Sequence, residues 1–83
     1  MFAHIPRPAL SLVLEYARVY RDGAKTRTRM GDSVGDNAFA DEIHDAATDL
    51  ARLIRDETGM RIPPRALRPI LWRAARVGEA YAI

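Results

Sequence analysis

The residues of this 83-residue sequence that are best suited to binding chemistry are one tryptophan and the arginines around it. If residues 65–82 form a helix, with about 100° of rotation per residue, Trp72 lies on a basic face opposite the apolar one. That face contains Arg65, Arg68, Arg73 and Arg76. Tryptophan and arginine are enriched at the energetic centres of protein interfaces, and together they also suit phosphate contacts and base stacking. We predict that Trp72 is exposed and that this face binds a partner.

Two alternatives explain the same face without a partner. Stacked arginines could simply cover the indole on the surface of a monomer. Helix 1 or the loop that follows it could instead cover Trp72 within the fold.

Two motifs resemble parts of enzyme sites but lack what those sites need. Residues 31–35, Gly-Asp-Ser-Val-Gly, match the nucleophile motif of α/β-hydrolases, but no strand precedes them, so Ser33 is predicted to lie in a loop. Residues 23–26, Gly-Ala-Lys-Thr, match only the end of a phosphate-binding loop, because Arg18 stands where its first glycine is required. Neither motif predicts catalysis, and none identifies a family.

Metal binding is not expected either. The chain has no cysteine, and its two histidines are His4 and His44. Asp41 and Asp45 share a helical face, but His44 points about 60° away from Asp41 and about 100° away from Asp45. We therefore predict no metal, no cofactor and no catalytic residue, although a subunit that donates residues to a shared site stays an alternative.

Charge is strongly segregated along the chain. Residues 32–57 carry eight acidic and two basic side chains, whereas the segments before and after them are basic. The outer face of the second helix has an acidic row made of Asp41, Asp45, Asp49 and Asp56. We interpret this row as a solvated face that Arg52 partly neutralises, with a docking surface for a basic partner as the alternative.

Hydrophobic periodicity predicts an all-α fold, a small three-helix bundle in a single domain that spans residues 1–83. We place helix 1 at about 8–22, a long loop at 23–36, helix 2 at about 37–58 and helix 3 at about 65–82. Asp36 or Asn37 would cap helix 2, and Gly59 would follow its end. Pro69 implies that helix 3 begins near Arg68 or is kinked there. Helices 2 and 3 should run antiparallel across a short link.

Helix 1 has more apolar surface than one neighbouring helix could cover. We expect an uncovered row, either Leu12, Tyr16 and Val19 or Leu10 and Leu14 on the other flank. Exposed apolar rows commonly mark interfaces, and a symmetric dimer is the most frequent arrangement. The row therefore predicts a homodimer.

Basic residues alternate in the predicted loop. If this piece is extended, Lys25, Arg27 and Arg29 all point to one side. They are candidate contacts for nucleic acid.

These patterns favour a small, non-catalytic protein–protein interaction module, such as an adaptor, regulator or inhibitor. The alternative is a nucleic-acid-binding protein that uses the arginine and tryptophan face with the basic loop. No apolar run approaches the roughly 18 residues of a membrane span, and no signal peptide is evident, so we expect a cytoplasmic protein that does not enter a membrane.

Overall fold

The computed structural model of the chain describes residues 5–31 and 37–82, which form three helices and no strand. The helices are α1 (Arg7–Arg29), α2 (Asn37–Thr58) and α3 (Pro64–Tyr81). The described part measures 40 × 21 × 17 Å, as expected for three roughly aligned helices. The predicted all-α three-helix bundle is confirmed. His4, Ser33 and Asp36 lie outside the described residues.

Helix α1 is longer than the sequence predicts. It continues through residues 23–29, which we expected to be loop, and ends with Met30 N–H bonded to the carbonyl of Thr26. Glycine and threonine disfavour a helix here, but Ala24 is fully buried in the core. Tertiary packing of Ala24 therefore overrides the local preference, and the loop prediction for 23–29 is wrong.

The three helices alternate in direction along the bundle. Pro6 at the start of α1 lies beside Pro63 at the start of α3, and Arg21 lies beside Gly78 one turn from the end of α3, so α1 and α3 are parallel. Helix α2 runs antiparallel to α3, as predicted, because His44 lies beside Arg68 whereas the earlier Phe39 lies beside the later Trp72. It is therefore also antiparallel to α1. The interface between α1 and α3 is the most extensive of the three.

One apolar core joins all three helices. Its largest fully buried side chains are Val13 of α1, Phe39, Ile43, Leu50 and Ile54 of α2, and Leu67 and Leu71 of α3. On α3, Val77 is 40% exposed and Tyr81 is 72% exposed, whereas Ala75 is fully buried. Helix α3 packs against both other helices, and more extensively against α1 than against α2.

Glycine and proline set the link between α2 and α3. Gly59 has a φ of 75°, and its N–H bonds to the Arg55 carbonyl at 2.8 Å, which closes α2 as predicted. Helix α3 begins at Pro64 and contains Pro69. The alternative in which the helix begins near Arg68 is therefore wrong.

Candidate functional site

A groove between α1 and α3 combines an apolar floor with a basic rim. The floor is lined by Leu14 and Ala17 of α1 and by Ile70, Ala74 and Val77 of α3. The rim consists of Arg18, Arg21 and Arg73. Leu14 is 46% exposed, so that together with Val77 it presents apolar surface to any partner that enters the groove.

Helical spacing places these side chains on facing sides of two helices. Leu14, Arg18 and Arg21 lie at i, i+4 and i+7 on α1 and so share one stripe. The small side chains of Ala17 and Ala74 leave the depression between the stripes. We call this surface the arginine-rimmed groove.

The arginine-rimmed groove is electrostatically positive. Among the residues that the structure describes, no acidic one lines it. Arg21 has a carboxylate neighbour in Asp22, with Nε 3.3 Å from Oδ1, but both side chains are about half exposed and the pair is correspondingly weak. Three guanidinium groups around an apolar floor favour a ligand that is both apolar and anionic.

Trp72 is not the exposed centre of a basic face. Its side chain is half-buried, packs against the core, and meets the Phe39 ring edge-on, with centroids 5.8 Å apart and planes at 66°. The indole reaches α2 because a large side chain on the flank of a helix extends well beyond the direction of its Cα–Cβ bond. Trp72 is therefore covered within the fold, by α2, whereas we had considered helix 1 or the loop as its cover.

The arginines predicted around Trp72 do not form one surface. Arg68 is half-buried, and its Nη1 lies 3.4 Å from Nδ1 of His44 across the α2–α3 boundary. Arg73 lines the groove on the opposite side of α3, next to α1. Arg65 and Arg76 are exposed between them. Of the predicted partner-binding set, only Arg73 belongs to the arginine-rimmed groove.

The structure also separates the three basic residues of the predicted loop. They lie on a helix, so the extended conformation that would align them is wrong. Arg27 turns toward α2, where its Nη2 contacts both carboxylate oxygens of Glu42 at 2.6 Å and its guanidinium lies 4.7 Å from the Phe39 ring centroid. Lys25 and Arg29 lie on the α1 stripe that contains Arg18.

The row proposed for a dimer is divided between core and surface. Leu12 and Tyr16 are half-buried against the core, whereas Val19 is 57% exposed. One turn beyond Tyr16, burial raises the pKa of Tyr20, and the negative charge of Glu42 raises it further. Tyr20 therefore lies near α2, and Val19 is the accessible member of the row.

The acidic row on α2 is solvated. Asp41, Asp45, Asp49 and Asp56 are all exposed. No group of three metal-ligating side chains occurs among the described residues. Within the described ranges, no helix is both long enough and apolar enough to cross a membrane.

Comparisons with known proteins found no family model, curated protein or solved structure that matches this chain. The class defined by its fold is the small three-helix bundle.

Of the residues in the basic rim, the sequence analysis identified only Arg73. Of the residues in the floor, it identified Leu14, but as part of a candidate dimer row. The available signal was the apolar arc of helix 1, which was too wide for one partner and which contains Leu14. Arg18 and Arg21 follow Leu14 on one stripe, but the groove also needs residues of α3, and no pattern within a single helix specifies which helix lies beside it.

Proposed function

We propose that this protein is a non-catalytic protein–protein interaction module whose arginine-rimmed groove binds an acidic amphipathic helix of a partner protein. The observation that carries the proposal is the apolar floor, with Leu14 and Val77 exposed. In the described part of the chain, three arginines and no carboxylate surround this floor. Helix-in-groove recognition uses apolar anchors at i, i+3 or i+4 and i+7. The stripe from Leu14 to Arg21 offers about two helical turns for such anchors.

Charge complementarity selects the occupant. An amphipathic helix with acidic flanks would place carboxylates opposite Arg18, Arg21 and Arg73. A second copy of this chain fits less well in the groove, because its acidic helix, α2, has its own apolar side buried in the core. Two grooves facing each other across a twofold axis would also bring like charges together.

The test uses a fluorescein-labelled peptide with leucines at i, i+4 and i+7 and glutamates on either side, titrated with the full chain in an anisotropy assay. We expect saturable binding that Leu14→Glu reduces at least about tenfold, as at an interface hot spot. Arg18→Gln and Arg73→Gln should weaken it less and make it less sensitive to salt.

Val19→Glu provides the matched control. It introduces the same charge at an exposed apolar position of α1 outside the groove, so binding should stay unchanged. Equal binding of a peptide with lysines in place of the glutamates, or equal loss in Leu14→Glu and Val19→Glu, would contradict the proposal. Far-ultraviolet dichroism checks that each variant is folded.

Self-association stays a prediction. Val19 is the accessible member of the Leu12, Tyr16 and Val19 row, and it is a single side chain. Sedimentation equilibrium at tens of micromolar tests the homodimer against the 9.3 kDa monomer mass. Reversal of any dimer by Val19→Glu would assign it to this row, whereas reversal by Leu14→Glu would assign it to the groove.

Nucleic acid is a second candidate ligand, favoured by one observation. Arg18, Arg21, Lys25 and Arg29 fall on one side of α1 at i, i+3, i+7 and i+11. A phosphate backbone along this stripe would give an affinity that falls steeply with salt. Binding of a labelled DNA duplex that Lys25→Gln and Arg29→Gln weaken, but Leu14→Glu does not, would favour this function over the peptide-binding one.

A further inference from the structure

A second pocket lies where α2 meets the link to α3. It is lined by Thr48, Ala51, Arg52 and Arg55 of α2 and by Arg61 and Ile62 of the link. Its volume is about 350 Å³, within the range of roughly 300–1,000 Å³ typical of small-molecule sites. Helix α2 is otherwise acidic, and its two arginines both line this pocket. Basic residues are therefore concentrated at one place on an acidic helix.

Of the three arginines of this pocket, only Arg55 is ion-paired within the described ranges. The sequence predicts that Arg52 partly neutralises the acidic row of α2. Within the described ranges, Arg52 and Arg61 form no direct ion pair or hydrogen bond. Arg55 has Nε 3.6 Å from Oδ1 of Asp56, and both of these side chains are more than half exposed. No carboxylate of residues 5–31 or 37–82 lines the pocket itself, so an anion would relieve the repulsion among the guanidinium groups.

The backbone around the pocket is restrained before any ligand binds. Arg52 and Arg55 are one turn apart on a regular helix. Arg61 stands directly before Ile62, Pro63 and Pro64, and prolines restrict both their own backbone and that of the preceding residue. Such restraint lowers the entropy lost when a ligand is bound.

We propose that this pocket binds a small molecule that carries a phosphate monoester. Guanidinium groups bind phosphate oxygens in bidentate fashion, and three of them suit a dianion better than a single carboxylate. Ala51 and Ile62 supply apolar contact for the organic part of the ligand. Nearby acidic side chains, among them Asp56 and Glu57, would repel an extended polyanion and so favour a small ligand over a nucleic acid.

The experiment titrates the ¹⁵N-labelled full chain with inorganic phosphate and, separately, with phenyl phosphate at constant ionic strength. The Nε–H signals of Arg52, Arg55 and Arg61 should shift and saturate, and phenyl phosphate should bind more tightly because its ring can contact Ile62. Arg52→Gln and Arg61→Gln should each weaken binding about tenfold or more. Arg76→Gln, which removes an exposed arginine outside the pocket, should leave it unchanged.

Several outcomes would overturn the site. Shifts that grow linearly without saturation, or equal losses in Arg61→Gln and Arg76→Gln, would indicate nonspecific attraction of the anion. Equal affinity for inorganic and phenyl phosphate would contradict the proposal of an organic phosphate and would identify free phosphate as the ligand. Since Leu14→Glu leaves this pocket intact, phosphate binding by that variant separates this site from the arginine-rimmed groove.

Discussion

Helix α3 meets its two neighbours in different ways. Against α1 it runs parallel, and at Gly78 the two backbones come so close that an added Cβ would lie 1.9 Å from the carbonyl oxygen of Arg21. Against α2 it runs antiparallel, and large side chains such as Phe39 and Trp72 fill the space. The α1–α3 interface requires a residue without a side chain at Gly78, whereas the α2–α3 interface is filled by large side chains that can change conformation. Mutations should therefore cost most between α1 and α3.

The largest effect should come from Gly78→Ala. The new methyl group would overlap the Arg21 carbonyl, which is backbone and cannot rotate away, so one helix must shift. Because the overlap is with backbone, we expect a cost at or above the upper end of the range for overpacking, about 3 kcal/mol or more in the free energy of unfolding. Urea denaturation followed by circular dichroism measures it.

Gly23→Ala is the matched control for that change. Gly23 is also within a helix, and a Cβ there meets nothing within 4 Å. We expect it to stabilise the protein by about 0.5–1 kcal/mol, because alanine is the better helix former. Similar effects of the two substitutions would contradict the close approach of α1 and α3.

Trp72→Ala should have the next largest effect. The indole is half-buried and stacks edge-on with Phe39, so its loss should cost about 2–3 kcal/mol, less than for a fully buried aromatic. Tryptophan fluorescence in the wild-type chain should be only partly quenched by iodide. A loss of no more than about 0.5 kcal/mol in the free energy of unfolding, as expected for the exposed control Arg76→Ala, would show that Trp72 is a surface residue.

A smaller effect is expected across the α1–α2 boundary. Glu42→Gln removes the ion pair with Arg27. The Glu42 side chain is 46% exposed and that of Arg27 is 35% exposed, so the substitution should lower the free energy of unfolding by about 0.5–1 kcal/mol. The cost should shrink in 1 M salt because the charges are partly solvated. Asp56→Asn, at the longer and more exposed pair with Arg55, should cost nothing measurable. A salt-independent cost at Glu42 would argue against an electrostatic origin.

The smallest effect concerns Tyr20 at high pH. Burial raises its pKa above the ordinary value of 10.0, so the folded state holds the phenolic proton more tightly than the unfolded chain does. Its contribution is fully present below pH 10 and is lost as the pH rises toward the folded-state pKa. As the pH rises above 10, the Tyr20→Phe variant should therefore lose less stability than the wild type. Coincident stability curves for the wild type and Tyr20→Phe between about pH 9 and pH 12 would contradict the shift.

The sequence by itself determined the helices and their ends where local chemistry is decisive. The regular apolar repeat of α2 and the positive φ available to Gly59 predict that helix and its end correctly, since both depend on residues within a few positions of each other. The link of residues 59–63 likewise predicts that α2 and α3 pack antiparallel.

Tertiary structure alone decided the rest. Residues 23–29 become helical because Ala24 enters the core, and Trp72 is covered because α2, and not solvent, lies on that side of α3. The arginine-rimmed groove requires Leu14 and Ile70, which are far apart in sequence, to lie on adjacent stripes of two helices. Periodicity specifies which side of a helix is apolar, but which neighbour covers that side depends on how all three helices pack together.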